Sequence, residues 1–282
     1  MMILVTSAAG HTGRVIVSKL VAAGFDVKAT DINPAVKDLP GIREGVVADL
    51  TRADEIDKLI ADVDSVVEIP PLFVAEEADI GKYLTDQLAA AHKQFIFISV
   101  THPILSTLRQ HLMKRDVEEH MIYTGMVKDY QYTILQPMHY MHNFNPNVVH
   151  ETGAYNIFYD INTKLSYVAP EDVGDVVVEV AQNPEKHNKA TYELVGTDYA
   201  SPVDLVALYN RLTGEHAVAK RVDMTEFLNQ AGIQNVYSRD AFRHLADTYS
   251  KWGLDGNSNV LRLLLGRKPT SYEDYMKQQI KF

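Results

Sequence analysis

A doubly wound, mainly parallel α/β sheet with a smaller C-terminal α+β cap is the fold class this sequence predicts. Three observations carry the prediction. Short apolar runs alternate with helical patterns through the first half of the chain, which is how strand–helix units build a parallel sheet. The first run, Met2-Ile3-Leu4-Val5-Thr6, leads through the small-residue turn Ser7-Ala8-Ala9-Gly10-His11-Thr12-Gly13 into a helical pattern from Arg14 to Ala23. Ser7, Asp31, Asp49, Pro70 and Ser99, the residues with a chemical reading, all fall where strands end, and open parallel sheets bind ligands there.

The elements follow in order. Asp26 to Thr30 reads as a second strand ending at Asp31, and Gly45 to Ala48 as a third ending in Asp49-Leu50. Asp64 to Ile69 reads as a fourth, closed by Pro70-Pro71. Ile80, Leu84, Leu88 and Ala91 recur at helical spacing before a fifth strand over Gln94 to Ser99. Tyr130 to Leu135 is the sixth. After Gln136-Pro137, the aromatic, Asn-rich stretch from His139 to His150 reads as a long loop on the substrate side. The remainder begins with a segment from Tyr155 to Tyr159 and then predicts a helix from Glu171 to Gln182, a strand near Tyr192 to Leu194, a helix from Pro202 to Leu212, a further strand over Val218 to Val222, and two or three closing helices. Residues 1–150 are thus expected to form a dinucleotide-binding domain and 151–282 a smaller, interwoven cap.

The bulk numbers narrow the function. A chain of 282 residues, 46% hydrophobic, can bury a large core. A net charge of −10 argues against nucleic acid, which needs a basic footprint. With no cysteine, disulfides, thiolate metal sites and a cysteine nucleophile are excluded. No targeting signal and no apolar run long enough for a bilayer are seen, so a cytoplasmic protein without membrane attachment is expected.

The turn after the first strand has the spacing G-x-x-G-x-x-G, with Ser7 in the first glycine position. Such a turn lets backbone approach a pyrophosphate, and the N–H groups that open the following helix face its charge. Thr6, Ser7, Ala8, Gly10, His11, Thr12 and Gly13 are the residues expected there. Asp31 lies about twenty residues further on, where a carboxylate accepts the two ribose hydroxyls of an adenosine. Asp49 and Leu50 are expected to flank the adenine, and Pro70, Pro71 and Ser99 to border the nicotinamide side. His139 and His142 share a helical spacing but lack an acidic third ligand nearby, so no metal is expected.

The chain resembles the NmrA-like group of atypical short-chain dehydrogenases/reductases, proteins built on a Rossmann sheet. The resemblance rests on Val5 to Gly13, Asp49-Leu50, Lys114-Arg115-Asp116-Val117-Glu118-Glu119, Tyr132 to Met138 running on to Asn143, Val168-Ala169-Pro170-Glu171-Asp172-Val173, and Leu264 to Tyr272. The group includes transcriptional co-regulators that sense nicotinamide cofactors, quinone reductases and reductases of plant phenolics. Membership implies a nicotinamide dinucleotide held by the residues named above, with Met138 beside it and Lys114 on the second ribose. The plainer reading of Lys114 is an exposed surface lysine.

Four features set this chain apart. No lysine has a tyrosine four residues earlier, so the usual Tyr-x-x-x-Lys acid is missing; Gln110 stands one turn before Lys114. Tyr140 or His111 is the candidate replacement as proton donor, while Tyr123 and Tyr132 read as packing residues. Relatives that favour NADPH carry an arginine just after strand two, where this chain has Ile32 beside Asp31, so NAD(H) is expected over NADP(H); Arg14 and Lys37 are the cations in reach of a phosphate. Gln136 replaces the arginine that usually precedes the proline after strand six. Glu68 sits in an apolar strand: alternation turns it towards a polar neighbour or solvent, whereas burial would raise its pKa and let it act as an acid.

Two functions are therefore expected to compete: an NAD(P)H-dependent reductase of a small electrophile such as a quinone, enone or aldehyde, and a non-catalytic redox sensor acting through a protein partner. A sugar-nucleotide epimerase relative is a weaker third reading, because those normally keep the tyrosine.

Overall fold

The computed structural model describes residues 1–71 and 74–282. In chain order the first half contains β1 (Met2–Val5), α1 (His11–Ala22), β2 (Asp26–Asp31), a 3-10 turn over Pro34–Asp38, β3 (Glu44–Val47), α2 (Ala53–Ile60), β4 (Ser65–Glu68), α3 (Glu77–Ala90), β5 (Gln94–Ile98), α4 (Arg109–Val127) and β6 (Tyr132–Pro137). The second half contains β7 (His139–Tyr140), a 3-10 turn over Met141–Asn143, α5 (Pro146–Thr152), β8 (Ala154–Ile157), β9 (Leu165–Val168), α6 (Pro170–Gln182), β10 (Ala190–Leu194), β11 (Tyr199–Ala200), α7 (Pro202–Thr213), β12 (Val218–Arg221), α8 (Met224–Gln230), α9 (Val236–Trp252), α10 (Asn259–Leu265) and α11 (Tyr272–Gln279). Four helices follow β12, where two or three were expected.

The chain divides into two compact units, and each is entered three times. The first comprises Met1–Ile104, His111–Pro137 and Pro170–Leu194; the second comprises Leu105–Gln110, Met138–Ala169 and Val195–Phe282. A cut at residue 150 does not separate them, because α6 and β10 return to the first unit.

The first unit is built on a seven-stranded sheet in the order β10-β6-β5-β4-β1-β2-β3. Every pairing in it is parallel. The order reverses beside β1, between β2 and β4, and that switch point opens a crevice at the strands' carboxyl ends. β4 and β5 are buried along their whole length, as strands covered on both faces must be. Leu4, Val66, Phe95, Phe97 and Ile134 pack under α2, α3 and α4. Residues of alternate parity turn the other way, and α1 and α6 pack together against the sheet. Two glycines permit close helix crossings. A Cβ on Gly81 of α3 would lie 2.7 Å from Val117 of α4, and one on Gly174 of α6 would lie 2.9 Å from Lys19 of α1.

The second unit holds a three-stranded sheet, β11-β9-β7, and a two-stranded one, β12-β8. Here the expected loop from His139 to His150 is corrected. His139-Tyr140 pair in parallel with β9, and Pro146–Thr152 is helical. Asn145 caps that helix by accepting from the Asn147 and Val148 N–H groups, Pro146 starts it, and left-handed Gly153 ends it. The residues read as loop formers are a cap and a first-turn proline.

Candidate functional site

The end of β1 is fastened to the chain that follows β4. The Thr6 hydroxyl accepts from the Ile69 N–H at 2.8 Å and donates to the Ile69 carbonyl at 3.0 Å, and the Ser7 hydroxyl donates to that same carbonyl at 2.8 Å. Ser7 has φ +46°, the left-handed region that favours glycine. The serine therefore takes the backbone geometry of the glycine position it fills in the motif. The Ala8 N–H donates to the Thr30 carbonyl at 3.0 Å, and the Ala9 N–H donates to the Asp31 carboxylate at 2.9 Å. The turn is thereby tied to β2.

Helix α1 starts from Gly10 with no side-chain cap and no acidic residue in its first turn. Its first closed backbone bond runs from the Arg14 N–H to the Gly10 carbonyl, which leaves the preceding amides outside the helical ladder. With the helix dipole, such an end favours an anion. At Gly13 an added Cβ would lie 2.3 Å from the Ser7 carbonyl oxygen and 2.7 Å from the Ala8 Cα. Only glycine lets helix and turn approach this closely.

A cavity of about 280 Å³ opens at this point, within the first unit. Of the residues singled out in the sequence, Ser7, Gly10, Asp31, Ile32, Asp49, Leu50 and Pro71 line it. Ala48, Thr51, Val74 and Ile80 complete the wall; of these Ala48 carried the signal of a strand end and Ile80 that of helical spacing, while Thr51 and Val74 carried none. The polar groups are concentrated at Asp31 and Asp49, and the rest of the wall is mostly apolar, which suits a flat aromatic ring beside a ribose. Asp31 accepts from the Ala9 and Asn33 N–H groups at 2.9 Å each. The Thr51 N–H and hydroxyl hold the Asp49 carboxyl below its usual range. Pro71, expected on the nicotinamide side, shares this cavity with Asp31 and Asp49. Pro70 is buried beside it in the chain. Arg14 donates to the Ala9 carbonyl at 2.8 Å.

The other predicted residues lie outside this wall. Thr6 and Ala8 are buried supports of the turn. His11, Thr12 and Gly13 form the first turn of α1. Ser99 donates its hydroxyl to Glu118, and the Gln136 amide donates to both oxygens of that carboxylate at 2.8 and 3.0 Å. Gln136 thus serves a buried acid of α4; burial raises the Glu118 carboxyl while these hydrogen bonds oppose the rise. Met138 and Tyr140 belong to the second unit, where the Tyr140 ring stacks on His142 at 5.1 Å and His139 packs edge-on against Tyr167 and Tyr249. Among the described residues no group of three or more His, Cys, Asp or Glu is placed to hold a metal ion.

Lys114 is not the surface lysine of the plainer reading. It is 9% exposed and its ammonium is bonded to Glu77, itself 1% exposed. Glu77, at the first position of α3, carried no recognised sequence signal. His111, one turn before Lys114, is buried; its Nδ1 lies 3.2 Å from the His102 carbonyl, and burial pushes its pKa down to about 4. Its ring is therefore neutral near pH 7. Glu68 is fully buried, so of the polar neighbour or solvent expected from alternation, solvent is excluded; Glu77 and Lys114 are the charges it feels, and burial pushes its pKa up to about 8, as the alternative reading expects. Of the two tyrosines read as packing residues, Tyr132 is buried and stacks on Tyr130, whereas Tyr123 is 61% exposed.

The profile of the NmrA-like family matches residues 1–276. Comparison with curated protein sequences returns no match. Among solved structures, the chain is 20% identical to the NADPH-dependent quinone oxidoreductase QOR2 of Escherichia coli in complex with NADPH, over 98% of this chain and 99% of that one, with a TM-score of 0.77. It is 19% identical to the Citrobacter sp. triphenylmethane reductase complexed with NADP(H), over 99% and 100% of the two chains, with a TM-score of 0.79. It is 16% identical to NmrA, a negative transcriptional regulator, over 98% and 94%, with a TM-score of 0.75.

Proposed function

The chain belongs to the NmrA-like family, and from that premise we propose that it binds a nicotinamide dinucleotide and reduces a small electrophile such as a quinone, enone or aldehyde. The observation that carries the reading is the convergence of Ser7, Gly10, Asp31 and Asp49 on one cavity at the uncapped start of α1. The close approach of helix and turn at Gly13, which a Cβ would prevent, sets the uncapped start of α1 directly behind the end of β1, where a pyrophosphate can meet its amides. The first-turn amides face its charge, Asp31 accepts the adenosine ribose hydroxyls, and Leu50 and Ile80 cover the adenine. Lys114 donates to the second ribose. When bound in reduced form, the nicotinamide supplies a hydride. A quinone accepts it with little help from a protein acid, because resonance stabilises the developing oxyanion, so the missing tyrosine is tolerable.

NADH is the preferred form in this reading, although the matched quinone oxidoreductase and dye reductase hold NADPH and NADP(H). Asp31 repels a 2′-phosphate, and Ile32, 74% exposed beside it, offers no cation. Ile32→Arg is expected to shift the ratio of NADPH to NADH dissociation constants towards NADPH by about tenfold, the scale of one charge-assisted contact. Fluorescence titration with both dinucleotides measures it, and an unchanged ratio removes the proposed location of the ribose.

A sensor that binds the dinucleotide without turnover is the second reading, favoured by the engagement of Lys114 with Glu77. NADH oxidation against a panel of quinones, enones and aldehydes separates the two. The reductase reading expects turnover that falls about 10²-fold or more in Lys114→Ala, the scale of a lost positioning or acid group. Tight binding with no turnover on any acceptor supports the sensor.

A further inference from the structure

Two carboxyl groups and one ammonium lie buried together in the first unit. Glu68 ends β4, Glu77 begins α3 and Lys114 lies in α4. Glu68 is 0% exposed, and among the described residues neither of its carboxyl oxygens has a hydrogen-bond partner. Glu77 gives one oxygen to Lys114, and its other oxygen, also buried, has none. Among the described residues, three carboxyl oxygens in this cluster therefore lack a donor, beside the one cation Lys114.

The charge count follows from burial. Glu77 and Lys114 neutralise one another as an ion pair. A second carboxylate beside them would leave an uncompensated buried charge, which is costly. Glu68 is therefore the protonated member near neutral pH, and its pKa, pushed up to about 8, agrees. The groups that face it from the packed elements are Glu77 on α3 and Lys114 on α4. His111, which feels Lys114, is neutral above its pKa of about 4. Glu118, also on α4, is engaged by Ser99 and Gln136.

We propose that Glu68 and Glu77 are positioning residues for Lys114 which together hold one proton, and that the lysine turns from Glu77 towards the dinucleotide's ribose only as the pair takes up a second proton from solvent. The proposal rests on the dinucleotide reading above and adds a proton linkage to it. Before binding, the cluster holds Glu68 as the acid, Glu77 as the carboxylate and Lys114 as the ammonium. Afterwards both carboxyls are acids, and the Lys114 charge, released from Glu77, is met by the ribose hydroxyls and offset by the negative charge the dinucleotide brings. One proton enters, no electron moves, and Glu77 is not left as a lone buried anion. Binding then weakens as pH rises, by up to about tenfold per pH unit while Glu77 is ionised in the free protein and protonated in the complex.

Calorimetric titration with NADH in two buffers of different ionisation enthalpy tests this without relying on turnover. The expected result is an uptake approaching about one proton per dinucleotide in the intact protein. Glu77→Gln, which cannot ionise, is expected to take up none and to bind with pH-independent affinity. Lys114→Met is an independent second variant, because Glu77 without its cation is already protonated before binding; it too is expected to show no uptake. Buffer-independent heat in the intact protein, or uptake that persists in a folded Glu77→Gln or in Lys114→Met, overturns the proposal. Absence of binding heat with NADH and with NADPH in every buffer removes the dinucleotide reading itself, and the linkage with it.

Discussion

Gly13→Ala is expected to lower stability by several kcal/mol and to weaken dinucleotide binding by about 10²-fold or more. Its Cβ would lie 2.3 Å from the Ser7 carbonyl oxygen, 2.7 Å from the Ala8 Cα and 2.9 Å from the Ala8 carbonyl carbon. All three atoms are backbone, so no side chain can swing aside. The Ala8 and Ala9 amides are fixed to Thr30 and Asp31, so the turn cannot retreat without breaking its ties to β2. Overpacking in a rigid core typically costs about 1–3 kcal/mol, and here lost hydrogen bonds add to it. Gly10→Ala is the control: its Cβ meets only the Ser7 oxygen, at 3.3 Å, and a cost of at most about 1 kcal/mol is expected. Urea unfolding and NADH titration of the two variants provide the comparison. A Gly13→Ala protein as stable and as tightly binding as the unaltered chain would contradict this close contact of helix and turn.

The second large effect is on the pH dependence of stability. Burial raises the Glu68 pKa from 4.5 to about 8, so between those values the folded state binds a proton that the unfolded chain has released. A raised acid of this kind contributes stability that is fully present below the unfolded value and is lost as pH rises through the folded one. The loss expected between about pH 4.5 and 8 is on the order of 3–5 kcal/mol. Glu68→Gln abolishes that contribution and is expected to gain on the unaltered protein steadily across the window. Glu77 and Glu118 are raised in the same direction and leave a shallower slope in both proteins. Denaturant midpoints measured at pH 5, 7 and 8.5 decide it: parallel curves for the two proteins would mean that Glu68 is ionised in the fold.

How far the sequence could be read depended on whether a signal was local. The apolar runs of β1, β4 and β5 announce themselves because strands covered on both faces need an unbroken hydrophobic stretch. The cavity was legible for the same reason. Ser7, Asp31 and Asp49 each sit where a strand stops, and the switch point of the sheet collects strand ends. Lys114 and Glu77 were harder, because their meeting depends on the crossing of α3 and α4 at Gly81, which no residue pattern within either helix records. Glu68 could be named as an anomaly in an apolar strand, but its environment belongs to those same two helices. The Asn145-Pro146 pair reads equally as a loop and as a helix start, because its residue types serve in both. Residue type alone does not distinguish Tyr123, which lies on the open face of α4, from a packed tyrosine.

The return of α6 and β10 to the first unit bears on how the protein is made on the ribosome. An emerging chain that has reached residue 150 has six strands of the central sheet and still lacks its outer neighbour for β6 and the helix that packs on α1. At about 5–20 residues per second, the interval until Leu194 appears is roughly 2–9 s. Throughout that interval one edge of β6 offers unpaired amides and carbonyls, and the α1 side near Lys19 stays bare. Vectorial synthesis therefore exposes a pairing-competent border for seconds, and a nascent chain of this architecture is most open to chaperone capture or misassociation in that period.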